Sequence, residues 1–359
     1  MSKVGTGRVK KLSRFPLVAT VLCAVIATAN PLGAQQEEQN EPLYDELVRT
    51  FKKKSLSIGA LFQTVGVFEW ERSLPGGNGF SIANMRLLLY GELDSGFGYF
   101  FQTNFARSPT VLDAKMYYKI SPALIIDAGL FKAPFSREFL TPASSIDFVD
   151  RSRVATLLVP GRQLGVQARG EFAGGEFAYS AGAFNGNRFI EANINDNNDF
   201  LIVGRLSYLP RQFQGAGDAD RLEVAVNAGF SKDADVVQVG FPNGFAGDRA
   251  LVGGDVRFTR KNLLLAGEII AVSLDADDGA EVDPYGWHLT AGYMVGRKAQ
   301  ALVRWDKFDA DTGGSNPDQL VLGVNVWPTQ PTEIQVNYVI PTSGGVDAQL
   351  LLLNFQVGF

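Results

Sequence analysis

Short runs in which apolar and polar residues alternate fill the chain from Ser55 to its last residue. The clearest example is EIQVNYVI at residues 333–340. Because a β-strand sends successive side chains to opposite faces, each run predicts a strand with one apolar and one polar face. The chain therefore predicts an all-β fold whose strands separate two very different surroundings.

Sixteen such runs can be counted. They lie at residues 55–68, 80–93, 97–107, 111–120, 123–132, 163–172, 176–185, 199–208, 221–231, 249–259, 262–273, 285–295, 298–308, 318–327, 332–341 and 347–359. Most are close to the ~9–11 residues that a tilted membrane-spanning strand needs, and bacterial single-chain barrels have even strand numbers. The connection at 209–220 is long for a tight turn, which leaves the count open by one strand pair.

The connections alternate in length. Tight turns are expected at 94–96, 121–122, 173–175, 261–262, 296–298 and 328–331, and longer loops at 69–79, 133–162, 186–198, 232–248, 274–284, 309–317 and 342–346. Outer-membrane barrels combine short periplasmic turns with long external loops. We therefore expect a transmembrane antiparallel β-barrel of about 16 strands.

Aromatic residues near strand ends favour this barrel over a soluble sandwich, because membrane barrels carry aromatic girdles at both interfaces. These residues are Tyr208, Tyr285, Trp305, Trp327 and Phe359. Unpaired backbone groups cannot face lipid, so the sheet must close, and sixteen strands enclose an aqueous lumen. The C-terminal Phe359 is interpreted as the signal that the outer-membrane assembly machinery reads.

The N-terminus predicts export. Five basic residues precede an apolar run from Phe15 to Ala29, which is typical of a cleaved signal peptide. Cleavage is expected after Ala34, with Ala29 as the alternative. This gives a signal peptide at 1–34, a short periplasmic segment at 35–54 and the barrel at 55–359, located in the bacterial outer membrane.

Charge and cysteine content narrow the function. Cys23 lies in the signal, so the mature chain has no cysteine. That chain carries 28 basic and 38 acidic residues, a net charge of about −10 (28 − 38), which argues against a nucleic-acid partner. The spacing of His, Cys and Gly shows no metal or cofactor motif, so none is expected.

Basic residues at inward positions predict a path for anions through the lumen. On the strands these are Arg86, Lys115, Lys119, Arg169 and Arg205, and in or beside the long segment 133–162 they are Arg137, Arg151, Arg153 and Arg162. A segment this long without clear strands is usually functional, and inside a barrel it would form a constriction loop. The alternatives are a wall kept wet by polar residues and an external lid held by salt bridges.

Residues 129–172 read GLFKAPFSREFLTPASSIDFVDRSRVATLLVPGRQLGVQARGEF. This segment resembles the central motif of the phosphate-selective porin O/P family. The resemblance implies a sixteen-stranded, homotrimeric outer-membrane porin with a loop folded into the lumen. The dense arginine run of the phosphate-selective members has no counterpart here, because basic residues are interleaved with acidic ones.

We therefore expect a porin that lets small ions or solutes diffuse through the outer membrane, with a preference for anions or phosphate. A barrel hydrolase is the alternative from another class, but His288 is the single histidine and has no identifiable nucleophile at a defined spacing. A closed structural barrel or adhesin is the other alternative, suggested by the Asn- and Asp-rich residues 185–200.

Overall fold

The computed structural model describes residues 56–70, 78–106, 110–187, 195–213 and 220–359. The predicted signal peptide and the segment at 35–54 lie outside these ranges. No helix within them is long and apolar enough to cross a membrane.

Seventeen strands are present in the described part of the chain, sixteen of them long and one of two residues. They are β1 (Ser57–Glu69), β2 (Gly79–Glu92), β3 (Phe97–Asn104), β4 (Thr110–Ser121), β5 (Leu124–Lys132), β6 (Arg162–Phe172), β7 (Phe177–Phe184), β8 (Leu201–Tyr208), β9 (Asp220–Gln238), β10 (Phe241–Arg260), β11 (Leu263–Ala276), β12 (Glu281–Val282), β13 (Tyr285–Met294), β14 (Ala299–Asp309), β15 (Gln319–Val326), β16 (Thr332–Pro341) and β17 (Leu350–Gly358). Two short helices, α1 (Arg137–Leu140) and α2 (Arg153–Leu157), lie between β5 and β6.

The sheet closes on itself. Each long strand pairs antiparallel with the long strands before and after it, and β1 pairs with both β2 and β17. At the closing seam, Leu61 lies opposite Gly358, and the backbone of Phe359 exchanges two hydrogen bonds with Ala60 at 2.9 and 3.1 Å. β12 only extends the edge of β11. The predicted sixteen-stranded antiparallel barrel is confirmed.

The two faces differ as a membrane barrel requires. Along β13, Leu289 and Tyr293 point outward and are 59% and 55% exposed, whereas His288 and Thr290 point inward and are 5% and 6% exposed. The same alternation recurs around the barrel, with large apolar side chains outside and polar ones inside. Exposed apolar side chains in this arrangement form the surface that lipid tails cover.

Two expected connections need correction or refinement. The loop predicted at 232–248 is wrong, because β9 and β10 continue through it and turn at 239–240. The Pro-Asn-Gly run at 242–244 indicated a loop, but Phe245 and Val236 are buried and pair across the hairpin. The link after Tyr208 contains a single 3₁₀ turn at Arg211–Phe213 and adds no strand to those described.

An apolar cluster lies inside the barrel on one side. Val154 of α2 and Leu158 pack against inward residues of the wall such as Leu251, Ile270 and Leu274, and all of these are at least 95% buried. The outward neighbour Ile269 is 53% exposed. The wall is therefore apolar on both faces here, and this side of the lumen is filled rather than wet.

Met116 and Tyr117 allow a direct test of the two faces, since they are neighbours on β4 with opposite orientations. Met116 is 68% exposed on the outer face, whereas Tyr117 lines the lumen. We expect Met116→Arg to lower the free energy of unfolding in lipid vesicles by about 2–4 kcal/mol, because the charge faces hydrocarbon. The control Tyr117→Arg should change it by less than half as much. Equal losses in urea titrations would contradict the assignment of the faces.

Candidate functional site

The segment between β5 and β6, here called the inner loop (residues 133–161), lies inside the barrel. Its backbone is bound by inward side chains of strands far from its own ends. Gln63 of β1, Asn325 of β15, Gln335 of β16 and Gln356 of β17 donate to its carbonyl oxygens, and Asn337 of β16 accepts from the amide of Val149 at 2.7 Å. The loop therefore crosses the lumen and is attached to the opposite wall.

Helix α1 turns the inner loop back across the lumen. The hydroxyl of Ser136 caps its start by accepting from the amide of Phe139 at 3.1 Å. At its end, Lys132 donates to the carbonyls of Leu140 and Thr141, and Arg151 donates to Thr141 at 2.6 Å. Cations at helix carbonyls satisfy acceptors that the helix leaves unpaired. Arg151 thus carries positive charge to one edge of the loop.

Glu138 fastens the two helices of the inner loop to the wall. Its carboxylate accepts from the amide and hydroxyl of Ser152 and lies 3.3 Å from the guanidinium of Arg304 on β14. Its amide donates to Glu268 of β11 at 3.2 Å. His288 lies 3.4 Å from the same carboxylate. Because these groups are largely buried, the ion pair with Arg304 holds the loop in a low-dielectric setting.

Several predicted basic residues are neutralised by acidic partners. Arg153 pairs with Asp306 at 3.0 Å, and Arg137 pairs with Glu223 at 3.2 Å. Arg205 lies against two carboxylates, Asp255 and Glu223. These pairs lie on the side of the lumen that the inner loop fills. Burial lowers the pKa of Arg137 from its ordinary value, but arginine titrates so high that it stays charged at neutral pH.

The opposite edge of the inner loop faces a concentration of positive charge. We call Arg86, Lys132, Arg151 and Arg162 the basic group; their charges act on one another across β2, β5, the loop and β6. One carboxylate, Asp113, pairs with Arg162 at 3.1 Å. Among the described residues, Arg86, Lys132 and Arg151 form no salt bridge. Burial lowers the pKa of Arg151, which nonetheless remains charged.

A second, smaller concentration lies next to the basic group. Lys115 and Arg169 share the buried carboxylate of Asp127, at 3.5 and 2.7 Å. Two cations on one carboxylate leave one net positive charge. The structure thus brings together five of the predicted residues, Arg86, Arg151, Arg162, Lys115 and Arg169. Lys119 is exposed near the tight turn that follows β4 and lies apart from them.

A cavity of about 1130 Å³, here called the vestibule, opens beside the basic group. It runs from the inner loop to the barrel end at which the chain terminates, and Arg86, Lys115, Lys132, Arg162, Arg169 and Phe359 are among the residues that line it. Glu333 and Gln356 lie on its far wall. The vestibule is an open aqueous space with cations concentrated on one wall.

The sequence pattern does not place Lys132 in the lumen, because this residue ends β5 within the motif at 129–172. Its position before Ala-Pro-Phe-Ser, where the strand gives way to the loop, was the available signal. The arrangement of Ser152, Glu138 and His288 does not support the hydrolase alternative. Glu138 lies between Ser152 and His288, whereas nucleophile activation needs the imidazole between the hydroxyl and the carboxylate.

Comparisons with known proteins agree with this architecture. A family model described as phosphate-selective porin O and P matches residues 65–239. Solved structures with the same fold include an anion-selective porin from Comamonas acidovorans (14% identity, TM-score 0.61, covering 85% of this chain and 99% of that one). OmpT of Vibrio cholerae in a trimer form (14%, 0.53, 85% and 99%) and OmpF of Salmonella typhi in complex with daunomycin (12%, 0.57, 85% and 97%) are also similar. No curated protein matches the sequence significantly.

The closed barrel, its polar interior and these matches together show the fold of the outer-membrane porins. The resemblance of this chain to the phosphate-selective porin O/P family, predicted from residues 129–172, is confirmed by the family model that spans them.

The ion pair of Glu138 with Arg304 can be tested against a surface pair. We expect Glu138→Gln to lower the free energy of unfolding by about 3–5 kcal/mol, because it leaves a buried arginine uncompensated. Open-channel current noise should rise as the inner loop loosens. The control Glu176→Gln removes an exposed pair with Arg211 and should cost under about 1 kcal/mol. Equal stability of the two variants in urea titrations would show that Glu138 does not fasten the loop.

Proposed function

We propose that this porin passes small ions and solutes with a preference for anions, and that the inner loop sets its constriction. The observation that supports this most is the asymmetry of the lumen. The side filled by the loop is apolar or ion-paired, and the open side carries the basic group. Three guanidinium groups, those of Arg86, Arg151 and Arg162, act on one another there, and Asp113 pairs directly with Arg162 alone, which favours anions at the narrowest point.

Within the basic group, Arg86 and Arg151 are the residues most suited to meet a passing anion. Arg86 donates to the amide oxygen of Asn84 at 2.7 Å, and Arg151 donates to backbone carbonyls of the loop. Neutral acceptors orient a guanidinium without cancelling its charge. Both can then form charge-assisted hydrogen bonds with a carboxylate or a phosphate. Arg137, Arg153 and Arg205 are proposed instead to hold the loop and wall.

The remaining parts of the proposal concern export and assembly. We propose that the chain reaches the outer membrane after removal of residues 1–34, and that the assembly machinery reads Phe359 at the closing seam. A homotrimer is supported by the family resemblance and by the trimer form of one similar structure. The matching family model is described as phosphate-selective, but the carboxylate of Asp113 beside Arg162 weakens the local field, so we propose a general preference for anions.

Reversal potentials across a planar bilayer test the anion preference. We expect Arg151→Gln to lower the anion-to-cation permeability ratio about two- to fivefold, because one unit charge at 4–8 Å in water is worth about 0.5–1 kcal/mol. Lys119→Gln removes the same charge roughly 20 Å along β4 from Asp113, at about 3.3 Å per residue, and should leave the ratio almost unchanged. The same shift in both variants would contradict a local role for the basic group.

A further inference from the structure

The wall of the vestibule carries aromatic side chains at inward positions of the strands, which are usually polar in a water-filled barrel. Tyr90 of β2, Phe100 of β3 and Tyr117 of β4, here called the aromatic patch, all line this cavity. The rings of Tyr90 and Phe100 have centroids 6.4 Å apart, and Tyr90 is 41% exposed. Leu88 extends the apolar surface toward Arg86. Apolar surface left open to water in a channel marks a place where a solute can bind.

The aromatic patch is bordered by positive charge. Phe100 lies directly opposite Lys115 in the pairing of β3 with β4, and side chains opposite each other in an antiparallel pair are neighbours. Lys115 and Arg169 share Asp127, which itself lies opposite Tyr117. The cations of Lys115 and Arg169 therefore lie next to the three rings, while the carboxylate of Glu92 interacts with Tyr117 at the other side of the patch.

This pairing of surfaces fits one class of solute. A small inorganic anion would use the cations and gain nothing from the rings, while a neutral aromatic would leave the cations unused. A carboxylate joined to an aromatic ring can place its charge at Lys115 and Arg169 and its ring over Phe100 and Tyr90. The ring then leaves water for an apolar surface, which is favourable in proportion to the area covered.

We infer that the vestibule binds aromatic carboxylates, and that they rather than inorganic phosphate are the preferred solutes of this channel. The inference rests on the proposed function, since it requires an open, anion-preferring pore. The aromatic patch is next to the basic group on the same wall. In the pairing of β3 with β4, Phe100 lies opposite Lys115, and the neighbouring inward pair is Gln102 with Asp113. An anion held at Lys115 is thus one inward residue along β4 from Asp113, the partner of Arg162.

Inhibition of the chloride current by added anions tests the inference. The full-length porin is reconstituted in planar bilayers, and benzoate, acetate and inorganic phosphate are compared at equal ionic strength. We expect benzoate to inhibit half of the current at a concentration roughly fivefold below that of acetate or phosphate. Phe100→Gln should remove most of this advantage. Tyr90→Gln serves as a second variant of the patch, and Phe101→Leu, on the outer face, as the control that retains the advantage.

Each outcome separates the two proposals. An anion-preferring chloride current with equal inhibition by benzoate and acetate, or stronger inhibition by phosphate, would overturn the aromatic carboxylate and leave the porin function standing. A benzoate advantage that survives in both Phe100→Gln and Tyr90→Gln would overturn the aromatic patch as the binding site. A cation-preferring wild-type current would overturn the proposed function, and the inference with it.

Discussion

Hydrocarbon offers no hydrogen-bond partners to a peptide backbone, and this constraint decides the rest of the structure. A strand edge left open in the membrane would expose a row of unpaired groups, so β1 must pair with β17 as well as with β2. Once the sheet is closed, successive residues of each strand must point alternately outward and inward. One set meets lipid and the other meets the lumen. The side chains of the candidate site all belong to the second set or to the inner loop.

The inner loop makes the lumen asymmetric, because it fills one side of the barrel and leaves the other open. On the side of β10, β11 and β14 it replaces water with packed apolar residues and with ion pairs such as that of Glu138 with Arg304. These contacts neutralise cations as they fix the loop. On the other side the loop presents Arg151 to a wall with few carboxylates. The proposed anion preference therefore depends on where the loop attaches, because its ion pairs neutralise cations on one side of the lumen only.

Sequence alone could predict the strands, since alternation over eight to fourteen residues is a local property. It also placed Arg86, Lys115 and Arg169 inward by parity. It could not predict which cations remain uncompensated, because partners such as Arg153 and Asp306 lie 153 residues apart. It failed at β9 and β10, where a Pro-Asn-Gly run indicated a loop although the strands continue. It also could not recognise β11 as apolar on both faces, because that depends on the loop that covers it.

The chain as a whole is acidic, with a formal net charge of −5, whereas the basic group beside the vestibule is positively charged. Which of the two charges a solute experiences depends on their distance from it. At physiological salt the Debye length is about 8 Å, so charges further away are largely screened. On the proposed anion path, a solute would pass within a few ångströms of the basic group, in partly buried surroundings where screening is weaker. An acidic protein can therefore hold a locally cationic gate, and the aromatic patch beside that gate adds a contact that salt does not screen.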